Sequence, residues 1–281
     1  MQTRRAIWGQ ALVILVLALV PLRPVQAQTI AELYLFDDLF AIMSTEGITS
    51  STSAEAVPLD PAELPNWQAR VERIYDPARM QADFVTVLDA ALAARPDVAA
   101  DAAVFAGSDL GARVLRLEIS AREALLEDAV DTLAREALAE ARAAEAGSPL
   151  AVRLDLVRER IAANNLIELN VTLGLNTTYA YYAGMMEGAA LPGLTEQDIV
   201  PMVWSQADTI RADVEDWIES YFLLAYHPLS DAELQEYIAY SGGALGDAFN
   251  RMMFQAFDRV FVGISGQVGA SLADMMSAQP L

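Results

Sequence analysis

Apolar positions recur at spacings of three and four along almost the whole chain, and no stretch alternates at period two, so the pattern predicts helices throughout. Leu33, Phe36, Phe40 and Met43 form one stripe in a helix expected over Ile30 to Met43. Asp76 followed by Pro77 reads as an N-cap with proline at the first helical position, and the helix it opens places Met80, Phe84, Val87, Leu88 and Ala91 on one face. Ser108 opens another, with Leu110, Val114, Leu117, Ala121 and Leu125 in register. The Ala-, Glu- and Arg-rich run from Glu127 stops at Gly147, and Ser148-Pro149 restarts a helix carrying Leu150, Leu154, Val157 and Ile161. Thr195 and Asp198 have capping-box spacing, with Pro201 expected to break or kink the helix they open. Ser230 caps the segment after it. The last run sets Phe254, Phe257, Phe261, Ile264 and Val268 on one face, while Gly263, Gly266 and Gly269 weaken its end or admit a close neighbour. Ser44 to Asn66, rich in Ser, Thr and Pro, is expected to be loop or extended chain.

One phrase is written twice. VFAGSDLGARVLR, from Val104 to Arg116, aligns with AYSGGALGDAFNR, from Ala239 to Arg251. Gly107 matches Gly242, Leu110 matches Leu245, Gly111 matches Gly246 and Arg116 matches Arg251, with Phe105 facing Tyr240. Upstream landmarks recur in the same order: Glu46-Gly47 and Glu187-Gly188 closing apolar helices, Pro-bearing loops (Pro58, Pro61 and Pro65; Pro192 and Pro201), Trp67 and Trp204, then Pro96 and Pro228. The expectation is an all-α fold of two related helical bundles, an internal duplication packed in tandem: unit one over 28–147, unit two over 148–281 with a long linking helix. In each phrase the first Gly is expected to end a helix in left-handed conformation, and the second to admit a neighbouring helix.

Composition narrows the chemistry. All 18 basic residues are Arg, against 39 acids, for a net charge of −21. Such a charge repels nucleic acid and anionic lipid, and no nucleic-acid partner is expected. Residues 1–27 combine Arg4 and Arg5, the apolar run Ala11–Val20 and a small-residue site at Val25-Gln26-Ala27, the pattern of a secretory signal peptide cleaved near Ala27. A periplasmic or secreted location follows, with membrane contact only through that segment if it is kept. The chain has no Cys and no Lys, and one His, His227 before Pro228. That inventory leaves little for nucleophilic catalysis, no ordinary transition-metal site and no phosphate-cradling loop, so no cofactor or metal is expected.

Two features point to a binding surface. Asn165, Glu168, Thr172, Asn176 and Tyr179 follow helical spacing on an otherwise apolar helix, where the chain departs from its usual Arg, Glu and Ala; this predicts a polar seam facing protein or a cavity. Unit two also holds fourteen aromatic residues against seven in unit one. A groove lined by Tyr179, Tyr182, Trp204, Trp217 and Tyr221 is therefore the candidate site for an apolar small molecule or a partner helix.

Three stretches carry a family resemblance: WQARVERIYDPARM from Trp67, NTTYAYYAGMMEG from Asn176, and the long run from Val203 to Phe261. They resemble the alphaproteobacterial branch of the domain-of-unknown-function 2059 family, whose hallmark corresponds here to Tyr240-Ser241 through Gly246; Ala106 takes the Ser position in the first phrase. The resemblance implies an exported all-helical protein and transfers no catalytic residues. The functions it leaves open are a non-enzymatic binding or interaction module of the envelope, a holdase-like scaffold suggested by the pairs Met185-Met186, Met252-Met253 and Met275-Met276, and a carboxylate enzyme centred on Glu168.

Overall fold

The computed structural model describes residues 28–53, 57, 59–188, 191, 193 and 195–277. The expected signal segment, Pro58 and Pro192 lie outside these residues. Among them every regular element is an α-helix and there is no strand. In chain order the first half holds α1 (Ile30–Leu33), α2 (Phe36–Thr52), α3 (Leu64–Ile74), α4 (Pro77–Ala93), α5 (Pro96–Ala106), α6 (Asp109–Ala124) and α7 (Asp128–Ala143). The second holds α8 (Pro149–Ala163), α9 (Leu166–Glu187), α10 (Glu196–Trp204), α11 (Ala207–Ala225), α12 (Asp231–Ser241) and α13 (Ala244–Ser277).

Start signals that offer a side-chain oxygen to an orphan backbone N–H are realised. Asp76 caps α4 by accepting from the Arg79 N–H, Ser108 caps α6 through the Gly111 N–H, and Ser148 caps α8 through the Ala151 N–H. Thr195 with Asp198 and Ser230 with Glu233 form capping boxes. Pro201 sits inside α10 without ending it.

Several local expectations are corrected. The stripe from Ile30 to Met43 is two helices, because Leu35 adopts a left-handed backbone (φ 56°) between α1 and α2. The helix then runs through Glu46-Gly47 and the first part of the expected loop to Thr52. Hydroxyls that suggested loop are absorbed there: Thr45 and Thr52 donate to the carbonyls of Ala41 and Ile48, and Ser44 donates to the Tyr75 carbonyl at 2.6 Å. Gly107 and Gly242 are right-handed, with φ of −81° and −80°. Gly111 and Gly246 admit the end of the preceding helix, since a Cβ at either position would collide with the carbonyl oxygen of Phe105 or Tyr240.

The two repeated phrases take the same local form. Helices α5 and α6 start at residues 96 and 109, and α12 and α13 start at residues 231 and 244. The Phe105 and Tyr240 rings stack on each other with centroids 3.8 Å apart and planes 8° apart. Farther back, α2 and α9 each begin after a left-handed residue, Leu35 and Asn165. The Trp landmarks part company: Trp67 is buried and donates to the Ser51 carbonyl at 2.8 Å, whereas Trp204 is 64 % exposed.

The expected boundary at residue 147 does not separate two cores. One buried cluster joins Phe36, Phe40, Trp67, Phe84, Leu88 and Val98 of the first half to Phe249, Val260, Ile264 and Leu272 of α13. The other joins Val114 of α6 and Leu138 of α7 to Leu154, Val157, Phe222, Tyr226 and Leu234 of the second half. Thus α13 packs on α3, α4 and α5, while α6 packs on α11 and α12. Large apolar rings in α13 find their partners in the first half: Phe257 lies 4.5 Å from Phe84 between centroids.

Candidate functional site

Two adjoining hollows lie where the two apolar clusters meet. The outer cleft, about 640 Å³, is bounded by α2, α6, α8, α9, α11 and α13. An inner chamber of about 180 Å³ extends toward the Phe105–Tyr240 stack and shares lining residues with the cleft, among them Glu118, Arg160, Tyr221, Met253, Phe254 and Phe257. The size of the cleft suits a small-molecule ligand.

The two long walls differ in character. From α13 come Met253, Phe254, Phe257 and Phe261 with Asn250 and Ser265, and from α9 come Leu166 and Leu173 with Asn170 and Thr177, so that wall is mostly apolar. The opposite wall, α6, supplies Glu118 and Arg122. Arg122 makes a bidentate pair with Glu46 of α2 at 2.9 and 2.7 Å, and its guanidinium lies 5.4 Å from the Trp217 ring centroid. Burial opposes the Arg122 charge, but hydrogen bonding and charge pairing with Glu46 outweigh that, so its pKa rises. Trp217 stacks on Tyr221 at 5.1 Å, which ties the ion pair at this wall to the aromatic interior.

Deeper in, Glu118 anchors a tyrosine cage. Its Oε1 accepts from the Tyr226 hydroxyl at 2.6 Å and the Tyr237 hydroxyl at 3.0 Å, and its backbone carbonyl accepts from the Tyr221 hydroxyl at 3.0 Å. Burial pushes the Glu118 carboxyl above its ordinary pKa, against the pull of Arg160 and the two tyrosine donors. The same burial, with the Glu118 charge, raises the Tyr221 and Tyr226 hydroxyls.

Arg160 of α8 completes the cage. It is buried, donates to the Tyr237 hydroxyl at 3.0 Å and to Asn164 Oδ1 at 2.7 Å, and lies over the Tyr237 ring at 4.7 Å. Asn164 in turn donates to the Ser241 carbonyl at 2.7 Å. Tyr237 therefore bridges Arg160 to Glu118, so opposite charges compensate each other through a hydroxyl in a place where either alone would be costly. The second oxygen, Glu118 Oε2, has no hydrogen-bond partner among the described residues and is not sealed by packing, so it faces the hollow.

The residues expected from sequence are dispersed. Trp217 and Tyr221 line the cleft, and Tyr221 also reaches the inner chamber. Tyr182 and Trp67 line a further hollow, which shares Ser50, Tyr75, Thr177 and Ser265 with the cleft. Trp204 points to solvent, and Tyr179 donates instead to Glu196 at 2.6 Å. No single groove joins these five among the described residues.

The polar seam is likewise corrected. Asn165, Glu168, Thr172 and Asn176 are exposed on the outer face of α9, because its inner face is taken by α13. They include surface tethers: Glu168 pairs with Arg211 of α11, which lowers its pKa, and Asn176 donates to Asp258 of α13 at 2.7 Å. Asn165 and Glu168 border a shallow hollow with Arg158 and Arg211.

Glu118 and Arg160 were missed, although a signal existed. Glu118 falls at helical spacing between Val114 and Ala121, and Arg160 follows Leu156 and Val157 at spacings of four and three, so each puts a charge beside apolar positions on one face. Among the described residues no cluster of His, Cys, Asp or Glu is arranged to hold a metal, and no helix is long and apolar enough to cross a membrane. Comparison with protein families, curated proteins and solved structures finds no match to this chain.

Proposed function

We propose that this protein is a binding module that takes up an apolar small molecule in the hollow between its two cores. The observation that carries this is the cleft of about 640 Å³, walled by Phe254, Phe257, Phe261, Leu166 and Leu173 on one side and by the Glu118 and Arg122 side chains on the other. Diphenylhexatriene, a hydrocarbon that fluoresces only out of water, tests it. Saturable one-to-one binding is expected, with energy transfer from Trp217 that Trp217→Phe diminishes. Leu173→Trp, which fills the cleft, is expected to reduce binding about tenfold or more while the melting transition stays cooperative. Absence of saturable binding, or binding indifferent to Leu173→Trp in the folded variant, overturns the proposal.

The scaffold alternative gains no support from the methionine pairs. Met185 and Met275 belong to the buried core, and Met252, Met253 and Met276 pack against it. An enzyme centred on Glu168 gains none either, since Arg211 holds that exposed carboxylate ionised.

We infer further that the halves descend from one unit, duplicated, with the last helix of each reaching into the other half. The support is reciprocal: α6 packs on α11 as α13 packs on α4, and α2 packs on α3 and α4 as α9 packs on α10 and α11. At an offset of 135 residues, Glu118 and Arg122 correspond to Met253 and Phe257. Divergence of one helix pair would thus have made one wall polar and the other apolar. Export and membership of the domain-of-unknown-function 2059 family are part of the same proposal, supported by the leader pattern of residues 1–27 and by the quoted stretches.

A further inference from the structure

The open carboxylate oxygen says what the occupant of the hollow carries at its head. We propose that the ligand is an amphiphile whose polar end is a hydrogen-bond donor, a hydroxyl or a protonated amine, seated against Glu118 Oε2 with its apolar tail along the α13 wall. This rests on the cleft being a binding site and adds the chemistry of the head.

The polar atoms left open in the inner chamber are acceptors. Glu118 Oε1 is saturated by Tyr226 and Tyr237, which fixes the carboxylate and leaves Oε2 toward the space. The donors of the inner chamber are committed or closed off. Arg160 spends Nη1 and Nη2 on Asn164 and Tyr237, and its Nε is sealed by packing. Arg122 lies in the outer cleft only, where it gives Nε and Nη2 to Glu46. The Tyr221 hydroxyl donates to the Glu118 carbonyl. The amide nitrogen of Asn250 is also sealed from the space, so that side chain can add only its oxygen. The Tyr240 hydroxyl is sealed as well.

In the inner chamber a carboxylate or phosphate head would therefore meet an acceptor with no free donor to receive it, and an unpaired buried charge is costly. Approach of an anion is also opposed by the net charge of −21. A donor head meets a pre-oriented acceptor instead. Two tyrosines hold that acceptor, so little ordering is lost on binding. The tail then covers Met253, Phe254, Phe257 and Phe261, which form the apolar wall of the cleft beside Glu118.

The test uses the whole protein and a tail-matched series, decanol, decylamine and decanoate, each displacing diphenylhexatriene at neutral pH. Decanol or decylamine is expected to displace the probe at about tenfold lower concentration than decanoate, the worth of one hydrogen bond to a charged group. A preference for decylamine that fades with added salt identifies the ammonium, and a preference for decanol that is indifferent to salt identifies the hydroxyl. Glu118→Gln keeps an oxygen for the tyrosines and turns an amide N–H toward the hollow, so it should remove or invert the preference. Should that variant not fold, the wild-type series decides alone. If the probe binds but decanoate competes as well as both others, the head-group inference fails while the cleft reading stands. If the probe does not bind, the cleft reading itself falls.

Discussion

At the scale of single residues, the protein has placed two charges where its helices carry apolar stripes. Glu118 and Arg160 stay compatible with folding because Tyr237 hydrogen-bonds to both and Tyr226 adds a second donor to the carboxylate. The compensation is incomplete for Glu118, whose pKa is raised by burial. A carboxyl with a raised folded-state pKa holds its proton more tightly folded than unfolded. Its contribution to stability is full below the unfolded value of about 4.3 and is lost as pH rises through the higher folded value. The stability profile of Glu118→Gln, subtracted from that of the wild type, should leave a term that declines with rising pH above about 4.3. Urea unfolding at a series of pH values measures it, and a flat or rising difference would contradict the raised pKa. Ion pairs such as Glu168–Arg211 carry lowered carboxylate pKa values and act in the opposite sense, but they are common to both profiles and cancel.

At the scale of elements, the governing contact is α9 against α13. It is close because small residues meet there. A Cβ on Gly184 would collide with the Gly266 carbonyl, and one on Gly269 with the Tyr181 carbonyl. Both obstacles are backbone, which cannot swing aside, so Gly184→Ala and Gly269→Ala should each cost about 1–3 kcal/mol by forcing the helices apart. Gly263 lies on the same helix with open space around its Cα hydrogens. There Gly263→Ala should raise stability, by up to about 1 kcal/mol, through helix propensity alone. Thermal or denaturant unfolding of the three variants checks the signs, and destabilisation by Gly263→Ala would sink the distinction. The glycine run was visible in the sequence as a weak helix end or a close contact; which glycines touch depended on how α9 lies against α13.

At the scale of the whole molecule, each core is completed by the other half of the chain. Residues 28–147 hold α2 to α5, whose apolar faces α13 covers, and they hold α6, which packs on α11 and α12 of the second half as well as on α2 and α5. A chain divided between Gly147 and Ser148 should therefore give two fragments that are poorly ordered alone and that recover helical content and a cooperative transition when mixed. Circular dichroism and size-exclusion chromatography read this out; independent cooperative folding of the 148–281 fragment would show that it needs no partner. Gly147 suits the division, since it sits in a turn with a left-handed backbone (φ 81°) and nothing packed near it.

Helices and most of their starts were legible in the amino-acid order because both are local matters. Apolar spacing sets a face, and Asp76, Ser108, Ser148 and Ser230 satisfy N–H groups three residues away. The recurrence of one phrase, and the low stock of nucleophiles and metal ligands, could also be read from order and inventory alone. The site could not. Asn165, Glu168, Thr172 and Asn176 share a helix face, and only the packing of α13 on the other side of α9 turned that face to water. Trp217 and Tyr221 were recognisable as aromatic, but Glu118 and Arg160 became a pair only when α6, α8 and α12 converged on Tyr237. Helical periodicity places a side chain on a face; what that face meets is decided by contacts between residues far apart along the chain.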